Sequence, residues 1–280
     1  MLVRIGSRGS RLALTQAEQA AALLRRPGIE IAFVPITTAG DRDRTSPFGQ
    51  IGERGVFVKE IEEALLAGRI DVAVHSAKDM TSDDTEGLAI GAYLERDDPR
   101  DALVGAAELR PGMRIGTASV RRRAQLLAAE PTISVEPMRG NVETRLRKMR
   151  ERGLDAIVLA SCGLDRLGLA DQIGARLDPE LMLPEAAQGA LALQVRAGDE
   201  ELVAHADHAE TRRRVEPERA CVALIGAGCL APVAAHHDGT TLHALIADED
   251  GAWVVRRSGD DPVALAEELS GAVARFSITQ

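Results

Sequence analysis

The stretch that decides the fold is Asp71-Val72-Ala73-Val74-His75-Ser76-Ala77-Lys78-Asp79. Its first five residues predict a short buried β-strand, and polar and charged side chains follow directly. Before it, the pattern predicts a strand at Leu2–Gly6, a helix at Arg11–Arg25, a strand at Ile29–Ile36 and a helix at Val56–Leu66. Because strands and helices alternate, a mainly parallel sheet is expected.

The same pattern recurs in the second half of the chain. Arg114-Ile115-Gly116-Thr117 is similar to Arg4-Ile5-Gly6-Ser7, and Asp155-Ala156-Ile157-Val158-Leu159 is similar to the Asp71 strand. Between them, the pattern predicts a helix, a strand and a helix at Val120–Ala129, Ile133–Val135 and Val142–Arg150. The predicted fold class is therefore α/β, with two periplasmic-binding-protein-like lobes that have mainly parallel sheets.

The ends of the repeat predict the domain organisation. Crossings between the lobes are expected near Glu95–Arg100 and Leu183–Ala190. Lobe 1 would then comprise residues 1–95 and 190–208, and lobe 2 residues 99–185. From about Thr211 the pattern changes, and residues 211–280 predict a small C-terminal α+β domain. Its predicted elements are two helices and two strands, at Glu216–Leu224, Leu242–Ala247, Trp253–Arg257 and Pro262–Ala274.

Composition limits the classes of function that fit this chain. Its 280 residues carry a formal net charge of −9, whereas a nucleic-acid-binding protein needs a basic face. No apolar run approaches the roughly 20 residues of a membrane helix, and the N-terminus enters a strand pattern with no signal peptide. Three cysteines without a CxxC pattern are typical of a reducing cytoplasm, so we expect a cytoplasmic protein without nucleic-acid or membrane partners.

The basic residues are almost all arginines, because only Lys59, Lys78 and Lys148 are lysines. Codon bias can explain that ratio, but it does not explain where the arginines fall. Many of them follow predicted strands or begin predicted helices, which is where open α/β sheets bind their ligands. The polar and basic residues at these positions are Arg8, Ser10, His75, Ser76, Lys78, Asp79, Ser119, Arg121, Arg122, Arg123, Arg139, Gly140, Asn141, Arg145 and Arg166.

Arginine at a helix N-terminus is locally unfavourable, because the helix dipole is already positive there. A bound anion would relieve this in Arg121-Arg122-Arg123; the alternative is that individual arginines extend into solvent. Together the arginines predict a site for a ligand with several carboxylates or phosphates. Neither GxxxxGK[ST] nor a strand followed by GxGxxG is present, which disfavours a nucleotide. His205, His208 and His236-His237 lack a completing ligand set, so no metal site is expected.

Two further residues indicate chemistry. Asp79 beside Lys78 would stay ionised among arginines and could stabilise a cation; the alternative is a helix cap or surface turn. Cys229 follows Gly228 in a Gly/Pro-rich loop, where a thiol could serve covalent attachment or nucleophilic attack; the alternative is an unreactive loop cysteine. Residues 40–55 form a long polar loop, which is typical of a functional lid or a mobile connection.

These motifs resemble those of the porphobilinogen deaminase family, from about Arg4 to at least Val233. The matching segments are Arg4–Leu14, Gly55–Glu60, Ala73–Asp79, Gly116–Arg122, Arg139–Leu146, Leu167–Leu169 and Pro184–Ala190. Among them, the HSxKD pattern and the RGNVxTRL pattern are together highly specific.

The resemblance implies an enzyme that joins four porphobilinogen units head to tail, with loss of ammonia, and releases hydroxymethylbilane. It implies a covalent dipyrromethane primer on Cys229 and a catalytic role for Asp79. The residues expected to bind the cofactor are Lys78, Ser76, Ser119, Arg121, Arg122, Arg139 and Gly140. Those expected to bind substrate are Arg8, Ser10, Arg145, Arg166 and Gln188. The polar loop with Asp41 matches the family's lid, and Lys59 lies in a matching segment.

The family further implies a monomer that could hand its product to uroporphyrinogen-III synthase. The sequence departs from the family at the cysteine loop, where Ala227 precedes Gly228-Cys229 in place of a second glycine. From His236 onward the match is thin. A non-enzymatic two-lobed receptor for an anionic ligand and an inactive family member remain alternatives.

Overall fold

A computed structural model describes residues 1–38, 58–80, 85–226 and 232–277. The predicted loop at 40–55 and Cys229 lie outside these ranges. Helices occupy Arg11–Leu24 (α1), Lys59–Leu66 (α2), Val120–Ala129 (α3), Val142–Glu151 (α4), Ser161–Arg166 (α5), Ala209–Ile225 (α6) and Pro262–Ser277 (α7). Strands occupy Leu2–Arg8 (β1), Glu30–Ile36 (β2), Val72–Ser76 (β3), Leu88–Tyr93 (β4), Asp101–Val104 (β5), Arg114–Gly116 (β6), Ser134–Glu136 (β7), Ala156–Ala160 (β8), Ile173–Arg176 (β9), Leu191–Arg196 (β10), Val233–His237 (β11), Leu242–Ala247 (β12) and Val254–Gly259 (β13).

The first compact unit comprises Met1–Asp97 and Gly189–Arg213. Its sheet has the strand order β2-β1-β3-β10-β4. Strand β1 runs parallel to β2 and β3, whereas β10 runs antiparallel to β3 and β4. Four of the five strands therefore share one direction, which confirms the predicted mainly parallel sheet. Ile5 and Leu193 are fully buried in the core beneath α1, where Leu24 joins them.

The second compact unit comprises Asp98–Gln188 and Arg214–Gln280, and it contains a sheet of the same build. The strand order is β7-β6-β8-β5-β9, with β5 as the antiparallel strand. Ile5 pairs with Val72 between β1 and β3, and Ile115 pairs with Ala156 between β6 and β8. The internal repeat read from the sequence therefore extends to the register of the central strands.

A C-terminal module, formed by β11 to β13 and α7, belongs to the second unit. Its antiparallel sheet packs one face on Leu265 and Leu269 of α7. The other face contacts α3, because Leu245 lies in a cluster with Ala124 and Leu183. The sequence predicted only two of the three strands. The division into three domains stays a prediction.

Helix α6 begins at Ala209, seven residues before the predicted start at Glu216. Because proline favours the first turn of a helix, Pro217 led to the prediction that the helix begins at Glu216. The helix extends further because Thr211 and Val215 are buried and anchor the preceding turns.

Candidate functional site

One candidate ligand-binding edge lies in the first unit. Because β1 and β3 are parallel neighbours, their carboxyl ends lie at the same edge of the sheet. Arg8 ends β1, Ser76 ends β3, and Ala77–Asp79 form a single 3₁₀ turn directly after it. Lys78 and Asp79 are both half-buried. The structure thus brings together the predicted polar residues that follow these two strands.

Ser10 stands at the start of α1, which follows β1. Its Oγ accepts a hydrogen bond from the Ala13 backbone N–H at 3.3 Å and caps the helix. The hydroxyl hydrogen is still available to donate to a ligand. The first turn of α1 carries no acidic residue, so the positive end of the helix dipole is not neutralised locally.

A buried series of hydrogen bonds from His75 through Gln194 to Glu62 anchors the strand that precedes Asp79. His75 Nε2 lies 3.1 Å from Gln194 Oε1, and Gln194 Nε2 donates to Glu62 at 2.8 Å. Since the amide nitrogen of Gln194 faces Glu62, its oxygen faces His75, and His75 Nε2 carries the proton. His75 is therefore a buried structural donor, and it lies within β3, whereas Lys78 and Asp79 follow that strand.

The second candidate edge lies in the second unit, at the N-terminus of α3. Ser119 caps this helix by accepting a hydrogen bond from the Arg122 backbone at 3.4 Å. Arg121 and Arg122 do not extend into solvent, because both are buried and converge on Asp101. Arg121 Nη1 donates to Asp101 Oδ2 at 2.8 Å, and Arg122 Nη2 donates to Oδ1 at 2.7 Å. Only Arg123 is partly exposed, in an ion pair with Asp250 at 2.6 Å.

Two buried guanidinium groups share the Asp101 carboxylate, and Glu185 is a second negative charge near Arg121. Burial alone would raise the pKa of Asp101, but Arg121 and Arg122 outweigh it and hold that pKa far below its usual range. Burial lowers the pKa of Arg121, but Asp101 and Glu185 outweigh this and raise it, so Arg121 stays charged. Within the described residues, Arg121 Nε and Nη2 are buried without a hydrogen-bond partner.

Gln188 belongs to the same cluster. Its amide nitrogen donates to Asp101 Oδ1 at 2.8 Å and to the Pro99 carbonyl at 2.7 Å. Sequence reasoning did not single out Asp101, the residue on which this cluster converges. The available signal was an aspartate that opens the apolar run of β5, where a charged group needs a partner.

The turn before α4 carries Arg139 and is tied to the helix behind it. Gly140 has φ +123°, and a Cβ there would lie 2.6 Å from Thr144 Cγ2. Arg145 Nε donates to the Gly140 carbonyl at 2.7 Å, and Lys148 Nζ donates to the Arg139 carbonyl at 3.0 Å. These contacts fix the position of Arg139, and Lys148 is a second residue that sequence reasoning did not single out.

Of the remaining predicted site residues, some lie in the described part of the chain and some lie outside it. Helix α5 begins directly after β8, and Arg166 is its last residue, whereas Lys59 begins α2 as an exposed residue. Cys229 and Asp41 lie outside the described residues. In the described part of the chain, no group of three or more His, Cys, Asp or Glu side chains could hold a metal ion. None of the helices described there is both long enough and apolar enough to cross a membrane.

Comparison with known families points to one of them. Residues 3–204 match a family described as "Porphobilinogen deaminase, dipyromethane cofactor binding domain". The chain is 44% identical over 285 residues to a porphobilinogen deaminase of Geobacter metallireducens, covering 97% of this chain and 90% of the relative. It is 46% identical over 281 residues to that of Syntrophotalea carbinolica, covering 95% of this chain and 89% of the relative.

Solved structures that match in part include periplasmic binding proteins. A nutrient-binding protein from Burkholderia cenocepacia bound to methionine matches with a TM-score of 0.42 and 12% identity, over 71% of this chain and 86% of that structure. A periplasmic domain of Bordetella pertussis BvgS matches with a TM-score of 0.41 and 15% identity, over 73% and 86% of the two chains.

Proposed function

Because this chain belongs to the porphobilinogen deaminase family, we propose that its two arginine-bearing sheet edges bind the carboxylates of a pyrrole chain that grows from Cys229. The enzyme joins four porphobilinogen units head to tail into hydroxymethylbilane, in tetrapyrrole biosynthesis. Each pyrrole carries an acetate and a propionate, so the growing product accumulates negative charge. Binding it requires several cations spread along the chain rather than one clamp.

The observation that carries the proposal is the buried cluster around Asp101. Arg121 Nε and Nη2, which have no hydrogen-bond partner among the described residues, suit a carboxylate that approaches the N-terminus of α3. Arg122 has less to offer as a donor, since each of its three side-chain nitrogens already donates to Asp101 or to the Val158 carbonyl and only one hydrogen is left on each of Nη1 and Nη2.

The hydroxyl, ammonium and guanidinium donors of each edge are of the kind that the carboxylates of a dipyrromethane cofactor need. The residues that would hold it are Ser76, Lys78, Ser119, Arg121, Arg122, Arg139 and Gly140. When bound through Cys229, it supplies the free pyrrole position to which the first substrate is added. Lys148 donates to the Arg139 carbonyl and so fixes the backbone from which the Arg139 side chain extends.

We assign the catalytic role to Asp79. It lies at the carboxyl end of β3, beside Lys78, in the turn that follows the strand. It would accept the pyrrole N–H hydrogen bond and stabilise the cation that forms when ammonia leaves. This role needs a fixed position, which the hydrogen bonds from His75 through Gln194 to Glu62 provide.

The substrate-binding set is Arg8, Ser10, Arg145, Arg166 and Gln188. Gln188 acts through Asp101 in this proposal, because its two amide hydrogens already donate to Asp101 and Pro99. The enzyme would work as a monomer in the cytoplasm and pass its unstable product to uroporphyrinogen-III synthase. Cys221 is not a candidate for the attachment site, since burial raises the pKa of its thiol to about 11 and keeps it unreactive.

Intact-mass spectrometry of the purified protein tests the attachment. We expect the wild-type mass to exceed the sequence mass by one dipyrromethane, and Cys229→Ser to abolish the excess. Cys221→Ala is the matched control and should keep it, because that thiol is buried. A bare polypeptide mass for freshly purified wild type would count against the proposal.

Asp79→Asn tests the catalytic assignment. We expect turnover to fall by about 100-fold or more, since a charge that stabilises a developing cation is lost in a preorganised site. The melting temperature should stay within a few degrees of wild type, because Asp79 is half-buried at a sheet edge. Glu86→Gln, at an exposed position of the same unit, is the control for loss of one negative charge. Near-normal turnover of Asp79→Asn would refute its role.

A further inference from the structure

One side chain of the C-terminal module contacts α3, the helix whose N-terminus forms the second candidate edge. Arg256 on β13 donates through Nη2 to Gln125 Oε1 at 3.1 Å and to the Leu181 carbonyl at 3.4 Å. Its Nη1 donates to the Pro179 carbonyl at 3.3 Å. Among the described residues, Arg256 has no carboxylate within ion-pair distance, so its contacts serve packing and orientation rather than charge pairing.

Gln125 transmits this contact into α3. It is buried; its Oε1 also accepts from the Leu183 N–H at 2.8 Å, and its Nε2 donates to the Leu183 carbonyl at 3.1 Å. A rotated amide would place its N–H groups against two other donors, from Arg256 and Leu183. Arg256 therefore helps to hold Gln125 in one orientation.

The Leu183 carbonyl completes the link. It accepts from Gln125 Nε2 and, at 2.8 Å, from Arg121 Nη1. This second bond turns the guanidinium of Arg121 so that Nη1 is used up and Nε and Nη2 are left without a partner in the described part of the chain. An unbroken series of hydrogen bonds thus joins Arg256 to Arg121 through Gln125 and the Leu183 carbonyl.

The backbone of the module is close enough to make this link rigid. A Cβ at Gly251, in the turn before β13, would lie 2.5 Å from the Ala124 carbonyl oxygen and 2.7 Å from the Ala128 nitrogen. Asp250 in the same turn pairs with Arg123. The turn therefore lies directly against α3, and it limits how far the helix can move.

We propose that Arg256 is a positioning residue for Arg121, through which the C-terminal module takes part in binding the carboxylates of the cofactor and the growing chain. The inference rests on the proposed role of Arg121 as a carboxylate ligand. It goes beyond that role by giving the C-terminal module a part in the site that is separate from carrying Cys229.

The test compares Arg256→Ala with Arg257→Ala. Arg257 is the matched control, because it is the next arginine of β13, is exposed and lies near Glu268 at 3.5 Å, on the alternate face of the strand. For Arg256→Ala we expect KM for porphobilinogen to rise about three- to tenfold, the effect of one lost hydrogen bond, with kcat within about twofold of wild type. The fraction of chains with the added dipyrromethane mass should fall in parallel. Arg256→Lys should restore part of both, and Arg257→Ala should change neither.

Two further variants distinguish the hydrogen-bond series from Arg256 to Arg121 from the carboxylate-binding role of Arg121 itself. Gln125→Ala combined with Arg256→Ala should raise KM no more than the larger single change, because both act on one series of hydrogen bonds. Arg121→Lys should raise KM more than either. If Arg121→Lys raises KM but Arg256→Ala does not, the inference fails and the proposed site stands.

Other outcomes also decide against the inference. If Arg121→Lys leaves KM and loading unchanged, the role of Arg121 fails and the inference fails with it, whatever Arg256→Ala does. Equal effects of Arg256→Ala and Arg257→Ala would show a general effect of charge. A drop in melting temperature with unchanged KM would show a purely structural residue.

Discussion

Asp101 organises the arginines of the second unit by accepting hydrogen bonds from three side chains. Arg121, Arg122 and Gln188 all donate to its two oxygens, and the carboxylate itself is fully buried. One carboxylate offsets only one of two buried positive charges, and Glu185 contributes a second negative charge near Arg121. The position of Asp101 therefore sets both the stability of the cluster and its charge.

Asp101→Asn should lower the free energy of unfolding by about 3–5 kcal/mol, because it leaves two buried cations without a carboxylate. Urea unfolding at pH 7 measures this. Asp250→Asn removes the partner of Arg123 at an exposed position, so it should cost less than about 1 kcal/mol.

The pH dependence of the same variant has a defined sign. Since the folded pKa of Asp101 lies below its unfolded value of about 4, its stabilisation is present above that pH and is lost as the pH falls. The difference between wild type and Asp101→Asn should therefore narrow below about pH 4. A difference that stays constant down to pH 2 would contradict the ion pairs.

At the scale of elements, the turn between β7 and α4 carries Arg139 and depends on the next residue, Gly140, whose backbone conformation only glycine adopts readily. Gly140→Ala should cost about 1–3 kcal/mol, because its positive φ is strained and the new methyl group meets Thr144. Gly153→Ala is the control: its φ is +60°, and nothing lies within 4 Å of the added Cβ. Equal losses on urea unfolding would show that the contact with Thr144 costs nothing.

Elements with local signals were predicted well. The bounds of α3 and β12 were predicted to the residue, because one begins at a serine cap and the other lies between turn residues. Strands β4, β5, β9, β10 and β11 were missed, since short apolar runs carry no periodicity that distinguishes a strand. Among them, β5 and β10 are inner strands of their sheets. Both pair antiparallel beside a crossing of the chain, and only the folded sheet gives them partners.

The site follows the same division. Which residues lie at the sheet edges could be predicted, because each position depends on the strand or helix next to it. The contacts of Gln125 could not, since its partner Leu183 is 58 residues away in sequence. Asp101 likewise meets arginines 20 and 21 residues away, and no local pattern encodes that meeting.

At the scale of the whole molecule, the C-terminal module and the sheet that contains β5 to β9 should unfold together. Leu245→Ala opens a cavity between the module and α3, at a cost of about 2–5 kcal/mol. We expect amide hydrogen exchange to rise in α3 and β8 as well as in β11 to β13. Leu193→Ala, in the core of the first unit, is the control and should leave those segments unchanged. Faster exchange confined to residues 233–277 would show an independent module.

The position of β10 in its sheet has a consequence for synthesis on the ribosome. Leu191–Arg196 lies between β3 and β4, so the first unit lacks an inner strand until about residue 196 has emerged. Strands β5 to β9 all lie within Asp101–Arg176 and are available before that. The part of the protein that is made first is therefore not the first to complete its sheet. Strand β4 has an unpaired edge until β10 is made, whereas the strands of the second sheet are available earlier.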